Sequence, residues 1–537
     1  MGTVTKIEKQ KKKAVSKADE ITLNGTDLKI KDFMEVISNP NRKIQISSRA
    51  KVRVRRSRKV VEEILQSDRT AYGINTGFGR LADVRIAPDK IDQLQENLLL
   101  SHSVGVGPEF SPEEVRAIFL LRIQSLLQGH SGVREQVVDF LTQAFNSGFI
   151  PVVYEQGSCG ASGDLAPLSH LALAMIGKGE ARLKQGNGKN ISPIMASSLA
   201  LKKIDLTPLK LSAKEGLALI NGTQVMTALG AMACSQMQKL IRSADIIGAM
   251  TLEALKGSQA PFHPRLQEVR PHPGQKKTAQ NLLKILKKSE IMVSHKDCGK
   301  VQDAYSLRCM PQVHGACRDT LEHCERVIEC EMNSVTDNPL IFPDLTAGKR
   351  VISGGNFHGQ PVAQVLDFLA ISTADLSSIS ERRIERLLNP DLSELPAFLA
   401  HESGLHSGFM MAQVTAASLV SESKTLSFPA CVDSIPTSGN REDHVSMGTT
   451  SGRKLRSIIQ NLEHVLAIEL LCACKALEYQ RPMHSGPGVE AGYKALRKIV
   501  DTLGEDRVLY KDIQKAREFI SNGDLLNSVQ IKIGALI

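Results

Sequence analysis

The chain has 537 residues, 42% of them hydrophobic, which is enough apolar side chain to bury a large core. Its formal net charge of +10 is not a nucleic-acid footprint, because residues 1–60 carry 17 Lys/Arg against 6 Asp/Glu and the rest of the chain is near neutral. With no Trp and 4% aromatics there is no base-stacking platform, and neither an 18-residue apolar run nor an N-terminal apolar h-region points to a membrane span or a secretory leader.

From the N-terminus, residues 1–20 with the run Lys11-Lys12-Lys13 read as a solvated basic tail. "RAKVRVRRSRK" (49–59) running into "VVEEIL" predicts a helix with an exposed basic face. "GFGRLA" (77–82) fits a loose GxGxxA pattern, but a helical stretch (89–102) follows and no βαβ unit, so no nucleotide site is expected. "SPEE" (111–114) predicts a helix capped by Ser111, with Pro112 at its first position and Gly129 at its stop. "PVVYE" (151–155) and "LIFP" (340–343) are the short strand patterns. "SAKE" (212–215) predicts a second capping box opening one long helix from Gly216 to about Leu255. Further helical periodicity covers 277–288, 312–332, 360–388, 407–425 and 451–479.

The expected fold is mostly α. A mixed N-terminal domain (21–215) precedes a bundle of long helices with a C-terminal helical region (216–537). Apolar faces that broad predict an oligomer. "HESGLH" (401–406) spaces its histidines five apart, which does not place them on one helical face, so no metal is expected there. The ten cysteines include no CxxC pair and read as reduced thiols of a cytoplasmic protein.

One serine resists the ordinary templates. In "CGASGDLA" (159–166), Ser162 has Asp164 where GxSxG needs glycine and Leu165 where SxxK needs lysine. Locally it reads as the cap of a helix beginning near Leu165. A second reading follows from its neighbours. Ala161 and Gly163 are small enough for the amide nitrogen of residue 163 to approach the carbonyl carbon of residue 161. Ring closure there, with loss of water and of the Ser162 hydroxyl, gives a methylidene-imidazolone, an electrophile favoured at a helix N-terminus.

"GSCGASGDLAPLSH" (157–170) resembles the signature of the aromatic amino-acid ammonia-lyases, which build this group from Ala-Ser-Gly. The likeness extends in order through "YGINTGFG" (72–79), "LLLSHSVGVG" (98–107), "LINGTQ" (219–224), "QDAYSLRCMPQVHG" (302–315), "NSVTDNPL" (333–340), "SGGNFHGQPVA" (353–363) and "SIPTSGNREDHVSMG" (434–448). Ser101-His102 resembles the histidine-specific branch, and Glu442 stands where plant-type phenylalanine enzymes carry an amide-rich pattern. A histidine and a carboxylate suit imidazole, whose two nitrogens need partners when buried.

The resemblance implies a homotetramer with sites shared between subunits, a self-formed group from Ala161, Ser162 and Gly163, and neither metal nor nucleotide. It further implies elimination of ammonia from L-histidine to give urocanate, with Tyr72 as general base and Tyr305 and Gln302 on the amine side. Arg308, Asn221 and Asn338 would hold the α-carboxylate, Phe357 would flank the ring, and His102 and Glu442 would read the imidazole. A tyrosine or phenylalanine ammonia-lyase, or an aromatic aminomutase with the same group, is the alternative. The sequence departs from the family pattern at Cys159, His406 and Arg441, the last within reach of an ion pair with Glu442.

Overall fold

The computed structural model describes residues 20–67, 69–81, 83–186, 190–296 and 298–537. Nearly all of the expected basic tail, 1–20, lies outside them. The chain forms two compact units that interleave in sequence. The first is drawn from Met1–Ala228, Glu329–Gln360 and Asp433–Thr449, the second from Leu229–Ile328, Pro361–Val432 and Thr450–Ile537.

The first unit is the mixed one. Glu20–Leu23 pairs in parallel with Lys43–Ile46, and Val106–Glu109 pairs antiparallel with Tyr154–Gln156. A small antiparallel sheet joins Phe149–Pro151 to Glu180–Gln185, which also pairs with Asn190–Ile191 and Met195–Ala196. The basic cluster folds as the helix Ser48–Leu65, and part of its basic face is spent on internal contacts. Arg58, 7% exposed, donates to the carbonyls of Gly132 and Ala213, while Lys51 and Arg55 pair with Asp139 and Glu135. Arg49, Arg55, Arg56 and Lys59 are exposed as expected, while Arg58 turns inward.

Local signals serve well where they are complete. Ser111 and Glu114 form both halves of a capping box over the helix Pro112–Leu126. "SAKE" is different. Glu215 reaches back to the Ser212 amide at 2.8 Å, yet Lys214 takes a left-handed φ of +74° and the Ser212 hydroxyl does not cap. The expected single helix from 216 to 255 is two, Glu215–Ile220 and Gln224–Ala254, broken at Asn221-Gly222-Thr223. Tertiary contact forces the break: Asp164 N–H donates to the Gly222 carbonyl at 2.7 Å.

The second unit is helical. It contains most of the helices Gln224–Ala254, Met310–Met332, Gln360–Leu388 and Gly448–Glu478, together with Met410–Leu426, Pro487–Arg497 and Asp524–Ile533. Gln360–Leu388 and Gly448–Glu478 are long and apolar enough to span a membrane, but most of each apolar window is buried inside the structure. The interior holds a fully buried bidentate pair, Arg383 Nε to Glu469 Oε1 at 2.6 Å and Nη2 to Oε2 at 2.9 Å. Thr251 and Ser380 donate to the same carboxylate, and Arg383 reaches His314, which bonds Asp245 at 2.9 Å. Every charge in that cluster has a partner, which buried charge requires. No disulfide joins any of the ten cysteines.

Candidate active site

The helix Leu165–Met175 begins where expected, but its N-cap is Asp164 and no side chain caps it. The capping reading of Ser162 is therefore corrected: its hydroxyl donates to Glu442 Oε1 at 3.0 Å. The other oxygen of Glu442 accepts from Thr437 Oγ1 at 2.8 Å and Ser438 Oγ at 2.7 Å. Two hydroxyls thus fix the carboxylate against the serine. Arg441 does not take it up; the arginine lies 3.9 Å from Asp83, an exposed pair worth little.

Gly163 is held where only glycine fits. Its φ is +73°, and a Cβ built on it would stand 2.1 Å from the Gly222 carbonyl oxygen. Among the described hydrogen bonds its own N–H donates to nothing, while the next amide, Asp164 N–H, is the one bound to Gly222. A buried Ala161, an unengaged Gly163 nitrogen and a Ser162 hydroxyl on a carboxylate suit the ring closure that the Ala-Ser-Gly triad implies. Asp164, fully buried, anchors the loop from below. It accepts from Val225 N and Met226 N at 2.9 and 3.0 Å, at the start of the helix Gln224–Ala254, and from Thr449 Oγ1 at 2.5 Å. Burial pushes its carboxyl above the usual range, and these donors pull the other way.

His102 ends the helix Ile91–His102, with Nδ1 3.0 Å from Ser101 Oγ. Burial lowers its pKa, opposed by the Leu98 carbonyl and the field of Glu442, so the ring is neutral at neutral pH. Tyr72 lies in the loop after Ala71, and Gly79 N–H points at its hydroxyl at 3.4 Å. That contact gives "GFGRLA" a role as a turn beside the phenol. Burial raises the Tyr72 pKa, the Gly79 donor lowers it, and Glu442 and Asp337 raise it further. The lowering that a phenolate base needs is not supplied within this unit.

The break after Ile220 puts Asn221 at a helix C-cap, 3% exposed. Its Nδ2 donates to Asp337 Oδ1 at 3.3 Å and to the Asn338 carbonyl at 3.2 Å. Both partners are acceptors, which fixes the amide's orientation and leaves Oδ1 buried with no partner among the described residues. An unsatisfied buried acceptor is costly unless a ligand donor meets it. Asn338 Oδ1 accepts from Gly354 N at 2.8 Å and Ser353 Oγ at 3.2 Å, which assigns its amide nitrogen as the donor end. Phe357 sits half-buried in the turn before the helix Gln360–Leu388.

Gln302, Tyr305 and Arg308 belong to the second unit. Tyr305 opens the short helix Tyr305–Arg308 and is 71% exposed, and the Arg308 guanidinium stacks 4.6 Å from its ring centroid. Arg308 Nε is a buried donor without a partner among the described residues. Gln302 lines a cavity of about 350 Å3 with Lys256, His295 and Lys300. His406 lies in a loop, where its Nδ1 accepts from Asp506 N at 3.3 Å, and no group of three metal-ligating side chains occurs among the described residues.

Sequence reasoning missed Asp164, Asp337 and Lys214. The signal available was one of type: an acid directly after the Ala-Ser-Gly triad, an acid before Asn338, and a lysine before an apolar run. The partners that matter, Val225, Met226 and Thr449 for Asp164 and Lys214 for Asp337, lie far away in sequence.

The aromatic amino acid lyase family matches residues 28–498. A protein named histidine ammonia-lyase from Sorangium cellulosum is 52% identical over 520 residues, which is 96% of this chain and 100% of that protein. The crystal structure of histidine ammonia-lyase from Trypanosoma cruzi superposes with a TM-score of 0.88 at 42% identity, covering 96% of each chain. The tyrosine aminomutase of Streptomyces globisporus superposes equally well, TM-score 0.88, at 36% identity over 96% of this chain and 99% of its own. The match over most of its length and the arrangement around Ser162 agree: the chain belongs to the aromatic amino acid lyase family.

Proposed function

We propose that the protein is a histidine ammonia-lyase, converting L-histidine to trans-urocanate and ammonia. The observation that carries the substrate assignment is the Glu442 carboxylate, held by Thr437 and Ser438 against Ser162, with a neutral His102 in its field. These are polar groups that an imidazole satisfies and a phenyl ring leaves unpaired. The likeness to proteins named histidine ammonia-lyase supports the same choice.

Ala161, Ser162 and Gly163 would hold the methylidene-imidazolone, which supplies an electrophilic carbon for the substrate's amine when formed. The chain's own residues do the rest. Asn221 Oδ1, buried and without a partner among the described residues, accepts from the substrate's ammonium, and the side-chain NH2 of Asn338 donates to the carboxylate. Arg308 supplies a charged fork for that carboxylate. Tyr72 takes the β-proton, with Tyr305 and Gln302 on the amine side and Phe357 at the ring.

Because the Tyr72 phenol stands above its usual range within its own unit, the base reading requires a donor or positive charge from elsewhere. A homotetramer with shared sites meets that need. It also covers the second unit's exposed apolar side chains, among them Phe428 and Val432, each 69% exposed. Ten cysteines without a disulfide fit a cytoplasmic home.

The test is to incubate the purified protein separately with L-histidine, L-tyrosine and L-phenylalanine and to resolve the products. Urocanate from histidine, at a kcat/KM well above the other two, is expected. Cinnamate or coumarate as the main product, or a β-amino acid, would transfer the protein to the lyase or aminomutase alternative.

A further inference from the structure

Asp337 is 1% exposed and has no solvent to stabilise its charge. Its Oδ1 accepts from Asn221 Nδ2 at 3.3 Å and from the Asn338 amide at 2.7 Å. Its Oδ2 accepts from Lys214 Nζ at 2.6 Å, and Lys214 is fully buried. The lysine sits at φ +74°, a left-handed conformation that strains a non-glycine residue. The fold tolerates that strain and thereby aims the ammonium inward. Its stem also packs under the catalytic loop. A Cβ on Gly73, the residue after Tyr72, would stand 4.0 Å from Lys214 Cδ and 3.3 Å from the ring of Pro339, the residue after Asn338. One buried ion pair therefore joins the segments carrying Tyr72, Asn221 and Asn338.

The charges around it are few. Glu442, on the turn after Ser438, and Asp337 both act on Tyr72 to raise its pKa. Lys214 sits directly on Asp337. Arg122, fully buried on the helix Pro112–Leu126, donates to the Ala218 and Asn221 carbonyls at 3.0 and 3.2 Å and adds its field to the same carboxylate. Without Lys214 the negative charge of Asp337 would face the phenol with Arg122 as its remaining cation in this unit.

We propose that Lys214 is a positioning residue that, through Asp337, fixes the side-chain amide of Asn221 and the backbone of Asn338 and cancels the Asp337 charge beside Tyr72. The inference rests on the reading of Tyr72, Asn221 and Asn338 as substrate-facing groups.

The experiment compares Lys214→Met, Asp337→Asn and the double variant with wild type. Each is first checked by intact mass for the loss of two waters at the Ala-Ser-Gly triad and by size for assembly, so that immature protein is not read as a kinetic effect. For Lys214→Met, kcat should fall about 10²-fold, the loss that a misplacement of about 1 Å produces. The ascending limb of its pH–rate profile, where the phenolate forms, should move to higher pH by about one unit. Asp337→Asn removes the charge that holds the fully buried Lys214 protonated, so the lysine loses its proton and the limb should stay near the wild-type position. The double variant is neutral and should likewise return the limb to the wild-type position with most of kcat recovered. If Lys214→Met does not mature, Lys214→Gln, which also strands the Asp337 charge, takes its place. A limb that coincides with wild type in the lysine variant, whatever happens to kcat, would show a merely structural pair and overturn the proposal. Rates are taken with whichever amino acid the wild type deaminates, so a wrong substrate assignment appears in the wild type alone and leaves the ratios readable.

Discussion

Removing the Glu442 carboxylate separates recognition of the ring from the rest of the reaction. The group accepts three hydroxyl hydrogen bonds, from Ser162, Thr437 and Ser438. Once the Ser162 hydroxyl is lost in maturation, Oε1 is the oxygen left to accept from an imidazole N–H. A hydrogen bond to a charged group contributes about 1.5–3 kcal/mol. At about 1.4 kcal/mol per factor of ten, losing it lowers kcat/KM for histidine by about 10- to 150-fold in Glu442→Ala. Glu442→Gln keeps an acceptor oxygen but not the charge, so its loss should sit near the low end, about tenfold. Phenylalanine forms no such bond, and its slow turnover should be unchanged or improved. The assay is the initial rate of urocanate or cinnamate absorbance on wild type and both variants. If histidine and phenylalanine fall by the same factor, the carboxylate serves a step common to both substrates and does not read the ring.

Other expectations follow from single residues. Gly163→Ala should leave the triad unprocessed and lower the Tm, since its Cβ would stand 2.1 Å from the Gly222 oxygen; an intact mass still short by two waters would refute this. His102→Phe should shift the kcat/KM ratio from histidine toward phenylalanine, and an unchanged ratio would remove His102 from ring recognition. Arg383→Met should cost about 3–5 kcal/mol by stranding the buried Glu469, measured by denaturant unfolding, whereas a second change Glu469→Leu should restore much of it. Burial pushes the Glu253 carboxyl up to about 7 from an ordinary value of 4.5, so the folded state binds a proton that the unfolded state releases. Stability from this group is therefore full at low pH and is lost as pH rises between those values, by about 3 kcal/mol. Glu253→Gln should flatten that fall, and an unaltered pH–stability curve would contradict the burial argument.

What could be read in the sequence was what is local. Ser111-Pro112-Glu113-Glu114 carries its capping box within four residues, and the helix starts there. The long helices announced themselves by apolar period. The break at Asn221-Gly222-Thr223 did not, because the apolar pattern runs on and the interruption is imposed by a loop 59 positions earlier, through Gly163 against Gly222. The interleaving of the two units has the same origin: Glu329–Gln360 and Asp433–Thr449 join the first unit through contacts such as Asp164 with Thr449, which no periodicity encodes. At the site, residue types were legible through the family motifs. Their buried supports, Asp164, Asp337 and Lys214, were not, since an ion pair 123 residues apart leaves no trace in either segment.

The central claim is that Ser162 is consumed to make the group on which ammonia elimination depends. The measurement that tests it most directly is the mass of the proteolytic peptide spanning residues 157–170 from active wild-type protein. A peptide lighter by two water molecules is expected, with the full-mass peptide and no ammonia release in Ser162→Ala. A full-mass peptide from a protein that still releases ammonia from histidine would contradict it.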